Sequence, residues 1–119
     1  MEIYLKRAYE LASAEDGLRI LVDRLWPRGV SKEDLKIDVW LKEIAPSEKL
    51  RKWFGHEAAR WKEFQERYLE ELEKNRSAMA TLNEYISQDT VTLIYSARDA
   101  EHNHAIVLKG FLENQKKSG

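Results

Sequence analysis

Residues 90–96 read TVTLIYS, a run that is largely apolar on both of its alternating faces. A strand with one wet side alternates apolar and polar residues. A strand that does not alternate needs cover on both sides, which is the situation inside a parallel sheet. Residues 18–25, LRILVDRL, have the same β-rich, apolar character and predict a second buried strand. Pro27 cannot continue a ladder, so that strand ends in the loop Trp26-Pro27-Arg28-Gly29. Ile3 to Arg7 alternates and predicts a first strand. Parallel strands need long crossovers, usually helical, so the rest of the chain must supply helices.

It does so repeatedly. Ser31, followed by Glu33 and Asp34, predicts a capped short helix. Asp38 to Ile44 places Trp40, Leu41 and Ile44 on one helical side and predicts a second, stopped by Pro46. Ser47 caps a third, with Leu50, Trp53 and Phe54 in register and Gly55 just past its end. Glu57 to Asn75 carries the clearest stripe, Trp61, Phe64, Tyr68 and Leu72. Ser77 to Ser87 turns Met79, Leu82 and Ile86 inward, and Glu101 to Lys117 does the same with Ala105, Leu108 and Leu112. The expected fold class is α/β, a small, mostly parallel sheet of three to four strands flanked by helices in three layers, α/β/α. The 119 residues suit one domain spanning 1–119.

Composition narrows the chemistry. The chain has no cysteine, which excludes disulfides, thiolate catalysis and Cys-ligated metals. Its formal net charge of −1 argues against a dedicated nucleic-acid binder. No run approaches a membrane span, and MEIYLKRAY has no signal-peptide character. A cytoplasmic location without membrane contact is expected.

In open α/β sheets ligands bind beyond the carboxyl ends of the strands. Two such ends are rich in polar groups. One is Asp23-Arg24-Leu25-Trp26-Pro27-Arg28-Gly29; the other is Ser96-Ala97-Arg98-Asp99, followed by His102-Asn103-His104 at the start of a helix. If the strands are parallel, both loops share one rim. Arg24, Arg28 and Arg98 then supply bidentate charge for an anion, and Trp26, Ser96 and Asn103 join them as candidate ligand contacts. Asp99, His102 and His104 are the candidate acid–base groups. Each has a structural alternative. Asp99 caps the helix, Arg98 pairs with Asp23 or Glu101, Trp26 plugs the core, and one histidine touches the sheet while the other faces solvent. Asp23, in a buried strand, needs a partner. An arginine that fixes the loop is the preferred one, and a general-base role is the alternative. On a helix, His102 and His104 point to nearly opposite sides. Ligation of one metal by both requires a non-helical first turn, and no metal site is assigned. No cofactor follows from these residues.

The segments Tyr4–Tyr9, Asp16–Gly29, Leu50–His56 and Tyr95–Asp99, continuing through His102-Asn103-His104-Ala105, closely resemble the YeaO-like branch of DUF488, a bacterial and archaeal family labelled a domain of unknown function. The resemblance implies one intact three-layer α/β domain. Many members of the wider family that it resembles carry a cysteine just after the strand that corresponds to Leu93–Tyr95, where this chain reads Ser96-Ala97-Arg98. A thiol-based phosphatase or sulfurtransferase mechanism therefore does not carry over. Ser96 as a replacement nucleophile needs an adjacent base, and His102 is the candidate.

Three functions follow for testing. The first is a site for a small anionic ligand at the strand ends. The second is a non-catalytic interaction domain with Trp53-Phe54-Gly55-His56 as a partner or self-association surface. The third, disfavoured by charge, is nucleic-acid binding through Lys6, Arg7, Arg24, Arg28 and Lys32. The residues do not specify an oligomeric state.

Overall fold

The computed structural model describes residues 2–118. Four strands form one wholly parallel sheet: β1 (Ile3–Arg7), β2 (Leu18–Leu21), β3 (Val39–Trp40) and β4 (Val91–Tyr95), in the spatial order β1-β4-β2-β3. The helices are α1 (Lys32–Leu35), α2 (Glu48–Phe54), α3 (Trp61–Lys74), α4 (Arg76–Gln88) and α5 (His104–Ser118). β4 is central, and all five of its residues are buried. Its missing alternation has the anticipated cause.

The two faces of the sheet are covered unequally. Val91, Leu93 and Tyr95 of β4, with Ile3, Ile20 and Val22, join the larger core with residues of α2 to α5. Ile94 and Leu21 point the other way, into a smaller core with Ala8, Leu35 of α1 and the flanking Trp26 and Trp40. The rest of that second face is polar. Thr92 donates its hydroxyl to Asp16 O at 2.7 Å. Asp16 meets Arg19 at 2.6 Å and Lys6 at 3.0 Å. Arg19 also donates to Leu35 O at 2.7 Å. Gly17, at φ 64°, lets β2 begin directly against β4; a Cβ there would lie 2.2 Å from Thr90 O.

Three expectations are corrected. Asp38 to Ile44 is not a helix. Leu41 N donates to Leu21 O and Asp38 N to Arg19 O, so the segment closes the free edge of β2 as β3. Only a 3₁₀ turn, Lys42–Ile44, keeps the helical spacing. Backbone groups at an open sheet edge outweigh a local apolar period. Second, β2 stops at Leu21 rather than Leu25, because the chain turns at Asp23. Third, α5 begins at His104 rather than Glu101. Asn103 caps it, accepting the Ile106 N–H at 3.1 Å.

The stripe of α3 is placed as its period requires. Phe64, Tyr68 and Leu72 are each at most 2% exposed, and each such side chain contributes about 1.5–3 kcal/mol. The Tyr68 hydroxyl donates to Ile44 O at 2.7 Å, inside the core. Burial, reinforced by Glu71 and Asp23, lifts this phenol well above its ordinary pKa, so it stays a donor. Tyr68→Phe keeps the ring and strands the Ile44 carbonyl. The expected cost is about 1–3 kcal/mol, read as a lower urea midpoint with an unchanged slope. An unchanged midpoint would show that water reaches Ile44 O.

Candidate functional site

The parallel sheet brings the carboxyl ends of β2 and β4 side by side, and Asp23 ties them together. Its Oδ2 accepts the Ser96 N–H at 3.0 Å and the Ser96 hydroxyl at 2.6 Å. Its backbone carbonyl accepts Trp40 Nε1–H at 2.7 Å. The first residue of α5, His104, sets Nε2 3.0 Å from Val22 O and 3.2 Å from Asp23 Oδ1. Both neighbours are acceptors, so Nε2 carries the proton. Only the Val22 contact has hydrogen-bond geometry; Oδ1 is buried with no directed hydrogen bond. The preferred partner of Asp23 was an arginine, but serine and histidine take that place. Burial alone raises the Asp23 pKa, but His104 and the two Ser96 hydrogen bonds more than offset it and hold the carboxyl below its usual range.

The loop after β4 is braced from both sides. Arg7, at the end of β1, donates Nε–H to Ala97 O at 2.9 Å. Asp99 Oδ1 accepts the N–H groups of Glu101 and His102, and its Oδ2 lies 2.9 Å from His102 Nδ1. Asn103 Nδ2 donates to Asp99 O. Asp99 thus caps a turn, while Asn103 caps the helix. The non-helical turn lets both His102 and His104 face the same space. His102 rests edge-on against Trp61 at 5.2 Å.

That space is a hollow of about 290 Å³. Arg24, Trp26 and Arg28 approach it from one side, and Ser96, His102, Asn103 and His104 from another. Seven of the nine candidate residues therefore meet. Arg98 and Asp99 do not line it; Arg98 is exposed outside. Trp26 has two roles. Its Nε1–H donates to Val30 O and its ring meets Trp40 edge-on at 5.5 Å, yet it also forms part of the wall.

Among the further lining residues that the strand-end reasoning did not select are Arg51, Phe54 and His56 from α2 and the turn after it, and Phe64 from α3; Tyr9, Ala45 and Pro46 also border the hollow. Gly55 and His56 both adopt left-handed backbone, φ 51° and 59°, which swings His56 back against Phe54. The signal for Arg51, Phe54 and His56 was the Leu50–His56 string, and Phe64 belongs to the α3 stripe. Trp53, by contrast, is half-buried, with Arg60 and Arg67 stacked on its ring.

Three guanidinium groups and one carboxylate line the hollow. Among the described residues none of the three, Arg24, Arg28 and Arg51, forms a salt bridge. Arg24 reaches only the carbonyls of Ala45 and Pro46, at 3.3 and 3.4 Å. Its Nε is buried without a partner. The lining carries a surplus of positive charge over its single carboxylate; outside it, Glu48 feels Arg51 and Arg24 but pairs with Lys52. No group of three metal-ligating side chains is assembled among the described residues, and no described helix is long and apolar enough to cross a membrane.

Comparison with known proteins places the chain in a family. Residues 2–118 match the family model DUF488-N3i, described as the inactive DUF488-N3 subclade. The chain is 46% identical to the uncharacterized protein YeaO of Escherichia coli K12 over 114 residues, covering 96% of this chain and 99% of that protein. The chain belongs to the YeaO-like DUF488 family. The uncharacterized protein Rv3073c of Mycobacterium tuberculosis H37Rv is 38% identical over 113 residues, 95% of each chain, and Mb3100c of Mycobacterium bovis matches equally. No solved structure matches. In this DUF488 member, the position after the central strand holds Ser96, whose hydroxyl is bonded to Asp23.

Proposed function

We propose that the hollow at the ends of β2 and β4 binds a small anionic ligand without covalent chemistry. The observation that carries this reading is the charge surplus. Arg24, Arg28 and Arg51 converge on one hollow with no salt bridge among the described residues, and Asp23 is the one carboxylate in its lining. Arginine forks suit carboxylate and phosphate groups, and partly enclosed sites strengthen such contacts.

A binding role rather than a catalytic one is supported by the state of Ser96. Its hydroxyl is given to Asp23, not to a histidine. The Asp23 pKa is held low, so this carboxylate is a weak base for activating a hydroxyl. The description of the matched subclade as inactive points the same way. Asp99, His102 and His104 then act by position. Asp99 orients His102, and His104 supports Asp23.

Thermal unfolding with a panel of inorganic phosphate, sulfate and small carboxylates tests the reading. At a hundredfold excess over Kd, linkage gives about 2.7 kcal/mol, or a rise in Tm of roughly 10 °C for a chain of this size. Arg51→Gln and Arg28→Gln should each abolish most of that rise, and Arg98→Gln should leave it intact. A panel in which no anion raises Tm, or an Arg51→Gln Arg28→Gln double variant that responds like the wild type, would overturn the proposal.

A further inference from the structure

The hollow is polar at one end and ringed at the other, and this asymmetry says what kind of anion fits. The inference rests on the anion-binding reading above and narrows it. Arg28 and Arg51 are exposed, at the mouth. Phe54 and Phe64 are only 5% and 2% exposed, and line the inner wall. They stack on each other at 4.3 Å with 24° between their planes. Ring contacts continue from it, tilted against His56 on one side and through Trp61, edge-on, to His102 on the other. Trp26 belongs to the facing loop. Planar side chains thus border the hollow on both sides.

The floor supplies the second constraint. Asp23 is buried there, with a carboxylate held in its ionised form. It repels an anionic group placed beside it, so the exposed guanidinium groups at the mouth are the better place for charge. A bare phosphate or sulfate would sit at the mouth and leave the inner wall uncovered. A ligand with its charge at one end and a flat apolar body at the other would satisfy both ends at once.

We infer that the site takes a small aromatic anion, its ring against Phe54, Phe64 and His56 and its carboxylate or phosphate between Arg28 and Arg51. Ring–ring contacts at offset or edge-on geometry add to the burial of the ring itself. Guanidinium planes also stack on aromatic faces, so Arg24 serves either part.

Calorimetric titration separates this from a general anion site. Phenyl phosphate is compared with glycerol phosphate, and benzoate with acetate, each pair having the same charged group. The aromatic member of each pair should bind at least tenfold tighter. Its ring protons should shift upfield in the bound state under the ring currents of the wall. His56→Asn, which keeps the left-handed backbone because asparagine tolerates it, should shrink the preference while sparing glycerol phosphate. Phe64→Leu should shrink it further. If Phe64→Leu fails to fold, the His56 variant and the proton shifts decide the matter. Equal affinity within both pairs would overturn the aromatic assignment and leave the anion site standing. No binding by any of the four would remove both.

Discussion

Asp16→Ala should lower the free energy of unfolding by about 3–5 kcal/mol, the usual cost of stranding one member of a buried ion pair. Asp16 lies under the second face of the sheet, 7% exposed, and Arg19 beside it is 4% exposed. The guanidinium donates to Asp16 at 2.6 Å and to the carbonyls of Leu35 and Lys36. Without Asp16 the carbonyls still accept, but the charge has no counter-ion. The same carboxylate accepts Lys6 and the Ser13 N–H, so one substitution loosens the turn into β2 as well. A domain is usually stable by only about 5–15 kcal/mol, so equilibrium urea unfolding should show a large drop in midpoint. Lys6→Met, which removes the more exposed cation, should cost much less. Equal losses for the two variants would contradict the primacy of the Arg19 pair.

The pH dependence has a definite sign. Burial by itself raises the Asp16 pKa, but the hydrogen bonds from Ser13, Lys6 and Arg19 outweigh it, and the folded pKa lies below the ordinary carboxylate value. The unfolded chain therefore binds the proton more readily. The contribution of Asp16 is complete above the unfolded carboxylate pKa and fades as pH falls through the folded one. Wild type should lose stability on acidification below about pH 4, and Asp16→Ala should show a flatter acid limb. A parallel pair of pH–stability curves would rule the linkage out.

How far all this was legible in the sequence depends on the range of the interaction. The buried strand at Val91–Tyr95 was readable because its cover on both sides is written into its own side chains. The stripe of α3 was readable for the same reason. Asp38 to Ile44 was misread because Trp40, Leu41 and Ile44 do carry a helical spacing, while the edge of β2 that claims their backbone lies some twenty residues upstream. The rim was anticipated from parallel topology alone, and it forms. Its contents were anticipated in part. Arg24 and Arg28 lie on the strand-end loop and reach the hollow, but Arg98 does not, since the turn held by Asp99 leaves it in solvent. Arg51 sits on a charged helix face that local pattern assigns to solvent, and only the packing of α2 beside the strand ends brings it in. The partners of Asp23 were hidden for a related reason. Ser96 and His104 are more than seventy residues away, and nothing local distinguishes them from an arginine as the compensating group.

Asp23 is where stability and ligand affinity should oppose each other. Asp23→Ala removes the acceptor for two donors of Ser96 and the carboxylate beside His104. Stranded buried donors cost about 1–3 kcal/mol each, so a loss of roughly 3–5 kcal/mol is expected, with the strand-end loops freed from each other. Asp23→Asn is the more informative change. Its carbonyl oxygen replaces Oδ2 and keeps both Ser96 bonds, but its amide then faces the protonated Nε2 of His104, donor against donor. That variant should lose less, about 1–3 kcal/mol. At the same time the lining changes from three guanidinium groups against one carboxylate to three against none. A unit charge across a hollow of this size, at a dielectric between those of protein and water, is worth about 1 kcal/mol. An anion should therefore bind roughly fivefold tighter to the less stable protein, and the gain should shrink as salt is added. The balance follows the general pattern in which a charge kept at a site for structural reasons limits what the site can bind. Urea unfolding and calorimetry on the same Asp23→Asn preparation measure both sides. A folded variant that binds anions no better than wild type would mean that Asp23 lies too far from the bound charge to oppose it, and the floor-to-mouth polarity of the hollow would lose its physical basis.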